Sequence, residues 1–284
     1  MVKIRETWVE RVLVVAAFSS LGILALIAVF IFAGGIPIIG EEGLGKFLLG
    51  TRWAPTKGSF GILPMILGSV WVTGGALLLG VPVALACAVY LAEVAPEAVG
   101  KIVKPALELL AGIPSVVYGF MGLVILVPFI RRFLGGPGFS VLAASAVLAV
   151  MILPTVTSVS YDALRAVPDP FRQASLALGA TRWQTICMSV LPAARSGILA
   201  AVILGMGRAV GETMAVIMVA GNATLIPGSP LDPVRTLTSN IALELGYAAG
   251  RHREALFATG VVLFVIIMGL NLVAGALAGR GRSR

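Results

Sequence analysis

Two charged side chains interrupt one of the most apolar stretches of the chain. From Gly197 to Val219 every residue is uncharged except Arg208 and Glu212, which are four positions apart. On a helix that spacing places both on one face, and two unpaired charges inside a membrane would cost about 5–7 kcal/mol. They are therefore either an ion pair that fixes the helix or the polar lining of a solute path. In such a path a guanidinium would bind an oxyanion through two N–H groups.

A second informative pattern lies in the polar segment of about residues 162–196. Asp169 followed by Pro170 is typical of a helix start, and the following residues predict two helical turns from Phe171 to Leu178. Gly179 suits the left-handed conformation that ends many helices. The pattern therefore predicts a short helix that stops at a glycine turn.

A second helix is predicted directly after this turn. Thr181 and Gln184 fit a capping box that opens it, and we expect it to bend or end near Pro192, because proline disfavours helical geometry in the preceding residue. The first helix has one apolar face, made of Phe171, Ala174 and Leu178. A two-turn helix is not stable alone in water, so this face must pack either on the protein's own membrane helices or in a groove on a partner.

The composition indicates an integral membrane protein. Of the 284 residues, 58% are hydrophobic and only 12% are charged, whereas a soluble chain has about 25% charged residues. The net charge of +8 suits anionic lipid headgroups better than nucleic acid, because the basic residues lie between apolar runs. Cys87 and Cys187 are isolated and His252 is the sole histidine, so no metal site or cofactor is expected. We expect His252 itself to be solvated in a loop.

Runs without Asp, Glu, Lys or Arg locate the membrane crossings. Five runs are long enough to span a bilayer: 12–40, 58–92, 109–130, 133–161 and 255–279. The stretch of 197–219 adds a sixth, which predicts an all-α protein with six transmembrane helices. The second run is too long for one crossing, so its start, 58–67, is expected to lie along the membrane interface.

Six crossings place both termini on the same side. With the termini in the cytoplasm, twelve Lys and Arg residues lie inside and eight outside, as the positive-inside rule requires. We predict a first unit over 1–67, with one helix and a periplasmic loop. The main transmembrane domain of five helices is predicted over 68–278, and a basic cytoplasmic tail over 279–284. The segment 162–196 is then cytoplasmic.

The cytoplasmic segment resembles the coupling loop of binding-protein-dependent ABC importers. Their permease subunits read E-A-A-x3-G-x9-I-x-L-P, and this chain has Gln173-Ala174-Ser175, Gly179 and Ser189-Val190-Leu191-Pro192 at the same spacing. The departures are Gln173 for Glu, Ser175 for Ala and Ser189 for Ile. In that family the loop forms a helix that inserts into a cleft on the ATPase subunit.

The amino-acid sequence of the fifth crossing resembles one family of permeases within this class. The run 205–216 reads GMGRAVGETMAV and is followed by Ala220-Gly221-Asn222, which is similar to the PstC permeases of phosphate-specific importers. The segments 113–119 (IPSVVYG), 153–155 (LPT) and 178–183 (LGATRW) also fit this family. The resemblance covers about residues 60–278 and implies the type I ABC importer permease fold.

The resemblance implies a subunit that imports inorganic phosphate with partners. These are a second, PstA-like permease, two PstB-like ATPase subunits and a PstS-like periplasmic phosphate-binding protein. The chain has no GxxxxGK[ST] motif, which fits a permease that is not an enzyme and whose energy comes from a partner. The residues expected to couple to the ATPase are Phe171, Gln173, Ala174, Ser175, Leu178, Gly179 and Pro192.

The expected translocation path contains Arg208, Glu212, Ser115 and Tyr118, although helix packing explains Ser115 and Tyr118 equally well. We expect Glu212 to hold Arg208 when phosphate is absent. Two other functions stay open on the residues alone. One is an ion-coupled secondary carrier or channel for a small anion, in which Arg208 and Glu212 form a relay. The other is a membrane-embedded enzyme, although the sequence offers no evident nucleophile–base pair.

Overall fold

The computed structural model describes the backbone of residues 2–280 and the side chains of residues 8–273 and 275. Six segments in this part of the chain are long and apolar enough to cross a membrane: Trp8–Glu42, Leu63–Val94, Ser115–Phe133, Val141–Arg165, Arg182–Gly211 and Arg251–Val273. The prediction of an all-α protein with six spans is confirmed. The division at residues 67 and 278 stays a prediction, and the predicted tail lies outside the described residues from residue 281 onward.

The helices of the described chain are α1 (Val2–Glu42), α2 (Leu44–Leu49), α3 (Leu63–Val89), α4 (Glu97–Gly112), α5 (Ser115–Met121), α6 (Val127–Phe133), α7 (Val141–Arg165), α8 (Asp169–Ala177), α9 (Arg182–Thr185), α10 (Leu191–Gly211), α11 (Met214–Val219), α12 (Leu237–Glu244) and α13 (Arg251–Arg280). Three π-helical turns continue or join them: Tyr90–Val94, Gly122–Leu126 and Ile186–Val190. A hairpin of β1 (Trp53–Ala54) and β2 (Ser59–Phe60) precedes α3.

The fourth span, α7, is the centre of the bundle. In its most apolar stretch 67% of the residues are buried, compared with 33% for the second span and 0% for the first. Both α3 and α10 pack on α7. The hydroxyl of Ser145 donates to the Val72 carbonyl over 3.1 Å, and that of Thr157 donates to the Ala84 carbonyl over 3.2 Å. Hydroxyl–carbonyl bonds of this kind join helices where no water is present.

The first span is peripheral. It packs on α13, where a Cβ added to Gly35 would lie only 2.6 Å from the backbone nitrogen of Ala258. Glycine is therefore required for this close approach. The second span begins at Leu63, with Pro64 in its first turn, so the expected interfacial segment is shorter than 58–67. A residue in the first turn of a helix has no carbonyl partner within the helix for its N–H, so proline, which lacks the N–H, is tolerated there. This explains why the helix can begin at Leu63.

Two breaks in the helical structure adjoin the third and fifth spans, one before Ser115 and one after Gly211. The chain is extended at Ile113 and Pro114, between α4 and α5, and again at Glu212, between α10 and α11. Because α5 packs against α11, the two breaks lie on neighbouring elements. We refer to the two ends of the bundle by the short helices that they carry, as the α8 end and the α12 end.

Candidate functional site

Arg208 and Glu212 lie where the fifth span breaks. The helix α10 ends at Gly211, and Glu212 has an extended backbone with φ −70° and ψ 130°. The prediction that both side chains share one helix face is therefore wrong, because the helix stops between them. Hydroxyl groups stabilise the break: Thr238 donates to the Glu212 carbonyl over 3.1 Å, and Thr213 donates to the Gly211 carbonyl over 3.3 Å.

The two charges are balanced by helix ends rather than by each other. Arg208 is in the last turn of α10, where the helix dipole places partial negative charge. Glu212 precedes α11, and its Oε1 accepts a hydrogen bond of 3.2 Å from the Ala215 backbone N–H, which caps that helix. None of the salt bridges found in the described residues joins Arg208 to Glu212. The expected pairing is thus not seen in this structure.

The structure places a hydroxyl group against Arg208, whose Nη1 donates to Thr155 Oγ1 on α7 over 3.3 Å. The Tyr118 hydroxyl donates to the Leu110 carbonyl over 2.6 Å, so this bond crosses the break between α4 and α5. Ser115 begins α5, one turn before Tyr118, and is half-buried. Thr155 is the member of this group that the sequence did not single out as a site residue.

A polar cleft begins beside Thr155, the hydrogen-bond partner of Arg208. A cavity of about 400 Å³ between α4 and α7 has Thr155 in its wall, and an adjoining one of about 480 Å³ extends to Arg165 at the α8 end. The two share Lys104, whose ammonium lies 3.8 Å from the centre of the Tyr161 ring. The charged residues that line the cleft are Glu97, Lys101, Lys104, Glu108, Asp162 and Arg165.

The short helix α8 presents its apolar residues to the outside of the chain. Phe171 is 52% exposed and Leu178 is 89% exposed, and Gln173 and Ala174 are exposed as well. Packing of this face on the protein's own membrane helices is therefore excluded within the described chain. The neighbouring Leu176 is also exposed, although the sequence did not single it out. The face is free to bind a partner.

The turns around α8 follow the predicted pattern with two shifts. Gly179 has φ +86°, and Thr181 and Gln184 form both bonds of a capping box, as expected. Asp169 is the first helical residue rather than the cap. The second helix does not end at Pro192, because the π-helical turn Ile186–Val190 carries it into α10. A π-turn accommodates the altered backbone that a proline imposes.

Hydroxyl groups connect α8 to the start of the fifth span. Thr185 Oγ1 donates to Ser175 Oγ over 3.0 Å, and Ser189 Oγ donates to the Phe171 carbonyl over 3.3 Å. Two of the three departures from the motif of the ABC importers, Ser175 and Ser189, thus take part in hydrogen bonds that alanine and isoleucine cannot form. These bonds attach α8 to the segment that follows it and do not involve its apolar side chains.

Arg172, which the sequence did not single out, anchors the opposite side of α8. Its Nη2 lies 2.6 Å from Glu93 Oε1, and its Nε donates to Glu93 Oε2 over 3.2 Å. Nη2 also donates to the Leu164 carbonyl, and Nη1 to that of Val167. The hydrogen-bonded carboxylate of Glu93 raises the pKa of the Arg172 guanidinium, against the opposing effect of burial. The only sequence signal was a basic residue on an otherwise amphipathic short helix.

A third polar cluster lies at the α12 end. Glu244 accepts hydrogen bonds from Trp53 Nε1 over 2.9 Å, from Arg235 Nη1 over 2.5 Å and from His252 Nε2 over 2.8 Å. Burial raises the pKa of the Glu244 carboxyl, but these hydrogen bonds outweigh it, so the pKa lies below its usual value of 4.5. The expectation that His252 is solvated is therefore wrong. We refer to Trp53, Arg235, Glu244 and His252 as the Glu244 cluster.

Comparison with known proteins agrees with this architecture. Residues 80–282 match the model of the family described as binding-protein-dependent transport system inner membrane component. The chain belongs to this family. It is therefore a multi-pass membrane permease of an ABC importer, and the prediction made from the coupling-loop spacing is confirmed.

Relatives of the permease include named phosphate-system proteins. It is 43% identical to the probable ABC transporter permease YqgH of Bacillus subtilis, over 94% of this chain and 90% of that protein. It is 35% identical to the phosphate transport system permease PstC of Haemophilus influenzae, over 92% and 90%. PstC of Mesorhizobium japonicum is 36% identical over 88% and 83%. The resemblance to PstC permeases is thus confirmed over most of the chain.

Solved ABC importers share the fold. An inward-facing MetNI methionine transporter aligns with a TM-score of 0.58 at 21% identity, over 78% of this permease and 94% of that chain. A bacterial alginate transporter in complex with its periplasmic protein aligns with a TM-score of 0.60 at 19% identity, over 93% and 94%. The type I importer fold is therefore confirmed.

Proposed function

We propose that the permease imports inorganic phosphate and forms half of the translocation path of an ATP-driven importer. A PstA-like permease supplies the other half, two PstB-like subunits hydrolyse ATP, and a PstS-like protein delivers phosphate. The named relatives support the substrate, since three PstC permeases are 35–36% identical to this chain. The termini and the α8 end face the cytoplasm, and the α12 end faces the periplasm.

Arg208 is the observation that carries the proposal. Its guanidinium is half-buried at a break in an apolar helix, and within the described residues its hydrogen-bond partner is a hydroxyl and not a carboxylate. An arginine balanced by a helix end keeps N–H groups free for an oxyanion. Arg208 therefore binds phosphate transiently as the anion passes the breaks that adjoin the third and fifth spans.

The other expected path residues take supporting roles. Glu212 caps α11 and keeps the break open, instead of holding Arg208 as the sequence indicated. The hydrogen bond from Tyr118 to the Leu110 carbonyl connects α5 to α4 across the break. Ser115 is the first residue of α5, next to this break. The cleft beside Thr155 is the cytoplasmic exit, which is lined by three basic and three acidic side chains. A mixed lining suits a path that must release its ion as well as bind it.

The exposed face of α8 binds an ATPase subunit. Phe171, Ala174 and Leu178 fit a hydrophobic groove, and Gly179 provides the turn that orients them. Replacing Leu178 with aspartate should therefore release the ATPase subunits during purification. Gln184→Ala is a matched control in the same segment, because it removes a helix cap and leaves the apolar face intact.

Phosphate uptake by the complete importer in proteoliposomes tests the function. Uptake should require ATP and the binding protein, and Arg208→Ala should reduce it by at least about tenfold, the effect of losing a hydrogen bond to a charged group. Arg208→Lys should restore part of it, since a lysine keeps the charge but not the planar pair of donors. ATP-independent uptake would instead favour the ion-coupled carrier or channel, and normal uptake by an assembled Arg208→Ala complex would contradict the role of Arg208.

A further inference from the structure

Three elements meet at one guanidinium on the α8 end. Arg172 belongs to α8, Glu93 lies in the π-helical turn Tyr90–Val94 that ends the second span, and the Leu164 and Val167 carbonyls belong to the end of α7. We propose that the Arg172–Glu93 pair is the joint that transmits movement of the coupling helix to the second and fourth spans. This inference rests on the proposed binding of α8 to an ATPase subunit.

The geometry of the pair is that of a rigid connection. The Arg172 fork donates two N–H groups to the two oxygens of one carboxylate, and the side chains are only 19% and 9% exposed. A bidentate pair fixes the relative orientation of its two partners as well as their distance. By contrast, Asp169 lies 3.4 Å from Arg172 but is 82% exposed, so water competes for that contact.

The same guanidinium also bonds the backbone where α7 ends. The Leu164 and Val167 carbonyls both lie there, the first in the last turn of α7 and the second two residues beyond it, and the Leu164 carbonyl also accepts from the Val167 N–H over 3.3 Å. Arg172 bonds both, over 2.9 Å and 2.6 Å. A displacement of α8 therefore pulls on the backbone of α7 directly, and on α3 through Glu93.

The path from this joint to the proposed anion contact follows a single helix. Leu164 and Thr155 are nine residues apart on α7, which is uninterrupted from Val141 to Arg165. At 1.5 Å per residue they are separated by about 14 Å. Because Thr155 bonds Arg208, a shift of α7 along its axis changes the position of the Arg208 contact. The joint thus links the ATPase-binding helix to the substrate path.

The π-helical turn at Glu93 supports a mechanical role. Single π-turns within a helix are costly and occur frequently at functional sites. This one widens the helix where the carboxylate leaves it, and the Ala95 backbone N–H closes it on the Tyr90 carbonyl over 2.8 Å. The turn places Glu93 against Arg172 at the end of the second span, whose helix α3 packs on α7.

The test measures ATP hydrolysis and phosphate uptake on the same proteoliposomes that hold the complete importer. Glu93→Gln keeps the shape of the side chain but removes its charge, so the ATPase subunits should stay bound and continue to hydrolyse ATP. Uptake should fall, and the ATP consumed per phosphate should rise by about tenfold, as expected for the loss of a coupling of this kind. Glu93→Asp should recover part of the coupling, and the exposed Asp169→Asn should stay within about twofold of wild type.

Arg172→Lys provides a second measurement if the Glu93→Gln permease itself does not fold and insert into the membrane. One ammonium keeps the charge opposite Glu93 but cannot hold both carboxylate oxygens and two carbonyls, so coupling should be partly lost. If an assembled Glu93→Gln or Arg172→Lys complex consumed as much ATP per phosphate as the wild type, the proposed role of the pair in coupling would be wrong. Release of the ATPase subunits would also overturn it, because the pair would then serve docking. The proposed function is tested separately, by wild-type uptake and by the Leu178→Asp variant.

Discussion

Arg235 with Glu244, and Arg208 with Glu212, are two arginine–glutamate combinations with opposite arrangements in one permease. Arg235 and Glu244 are nine positions apart and form a direct ion pair with side chains only 17% and 10% exposed. Arg208 and Glu212 are four positions apart, yet a helix end separates them and each charge is balanced by a backbone dipole. Sequence proximity thus does not decide which charges pair. The backbone between them does.

The two arrangements serve different purposes. The Glu244 cluster joins the hairpin before α3, the loop before α12 and the start of α13 through one carboxylate, and it leaves few polar groups available to a ligand. Arg208 is held by one hydroxyl within the described chain. A fully paired arginine contributes to structure, whereas an arginine with free donors can bind a passing anion.

The same substitution at both arginines gives the largest expected difference. Arg235→Leu leaves Glu244 buried without its ionic partner, which should lower the free energy of unfolding by about 3–5 kcal/mol. Arg208→Leu should change it by less than about 1 kcal/mol, the usual worth of a charge at a helix end, while phosphate uptake is lost. Equilibrium unfolding in mixed detergent micelles measures the first quantity and proteoliposome uptake the second.

The comparison would be wrong if Arg235→Leu left stability unchanged and Arg208→Leu lowered it. A strong destabilisation by Arg208→Leu would show that Arg208 is structural. Arg235→Lys is the control for volume and charge, and it should recover part of the stability, because an ammonium can still face Glu244.

Replacing each of the two glutamates with glutamine should give a smaller difference in unfolding free energy, again with the larger loss in the Glu244 cluster. Glu244→Gln removes the charge from three hydrogen bonds and should cost about 1.5–3 kcal/mol of unfolding free energy. Glu212→Gln keeps an oxygen that can accept from the Ala215 N–H, so its cost should stay below about 1 kcal/mol. Equal losses at both positions would contradict the assignment of Glu212 as a helix cap.

Much of the fold was predictable from the sequence because it depends on local patterns. Charge-free runs predicted six spans, and the spacing around Gly179 predicted the glycine turn and the capping box. These features need only neighbouring residues. The start of the second span at Leu63 was missed because the uncharged run does not mark where a proline begins a helix.

The candidate site was less predictable because it depends on contacts between distant residues. Arg208 and Tyr118 were chosen from their segments, but the partner of Arg208, Thr155, lies 53 positions away. Glu93 and Arg172 are 79 positions apart, and nothing in either segment indicates the other. The break after Gly211 was also missed, since apolar residues continue on both sides of it and no proline marks it.

Thr155 allows a finer test of how loosely Arg208 is held. Thr155→Val keeps the shape and removes the hydroxyl, so the orientation of Arg208 should be lost and uptake should fall by about three- to tenfold, the effect of one hydrogen bond. Thr155→Ser keeps the hydroxyl and should restore most of the rate. The buried Ser145, which bonds the Val72 carbonyl and lines neither cavity of the cleft, provides the control: Ser145→Ala should lower stability and leave the uptake rate of the assembled importer unchanged.

Lowering the pH should have the smallest effect on stability among these predictions, and it tests the Glu244 carboxylate alone. The pKa of Glu244 lies below its usual value of 4.5, so its contribution to stability is complete above that pH. It is lost as the pH falls from that value through the lowered pKa, because in this range the unfolded state binds a proton that the folded state does not. Thermal unfolding from about pH 6 down to about pH 3 should therefore show a steeper loss of stability for the wild type than for Glu244→Gln. Arg208→Leu should follow the wild-type curve throughout, since Arg208 takes no part in the cluster, and parallel curves for Glu244→Gln and the wild type would show that the Glu244 carboxylate is not stabilised in the folded permease.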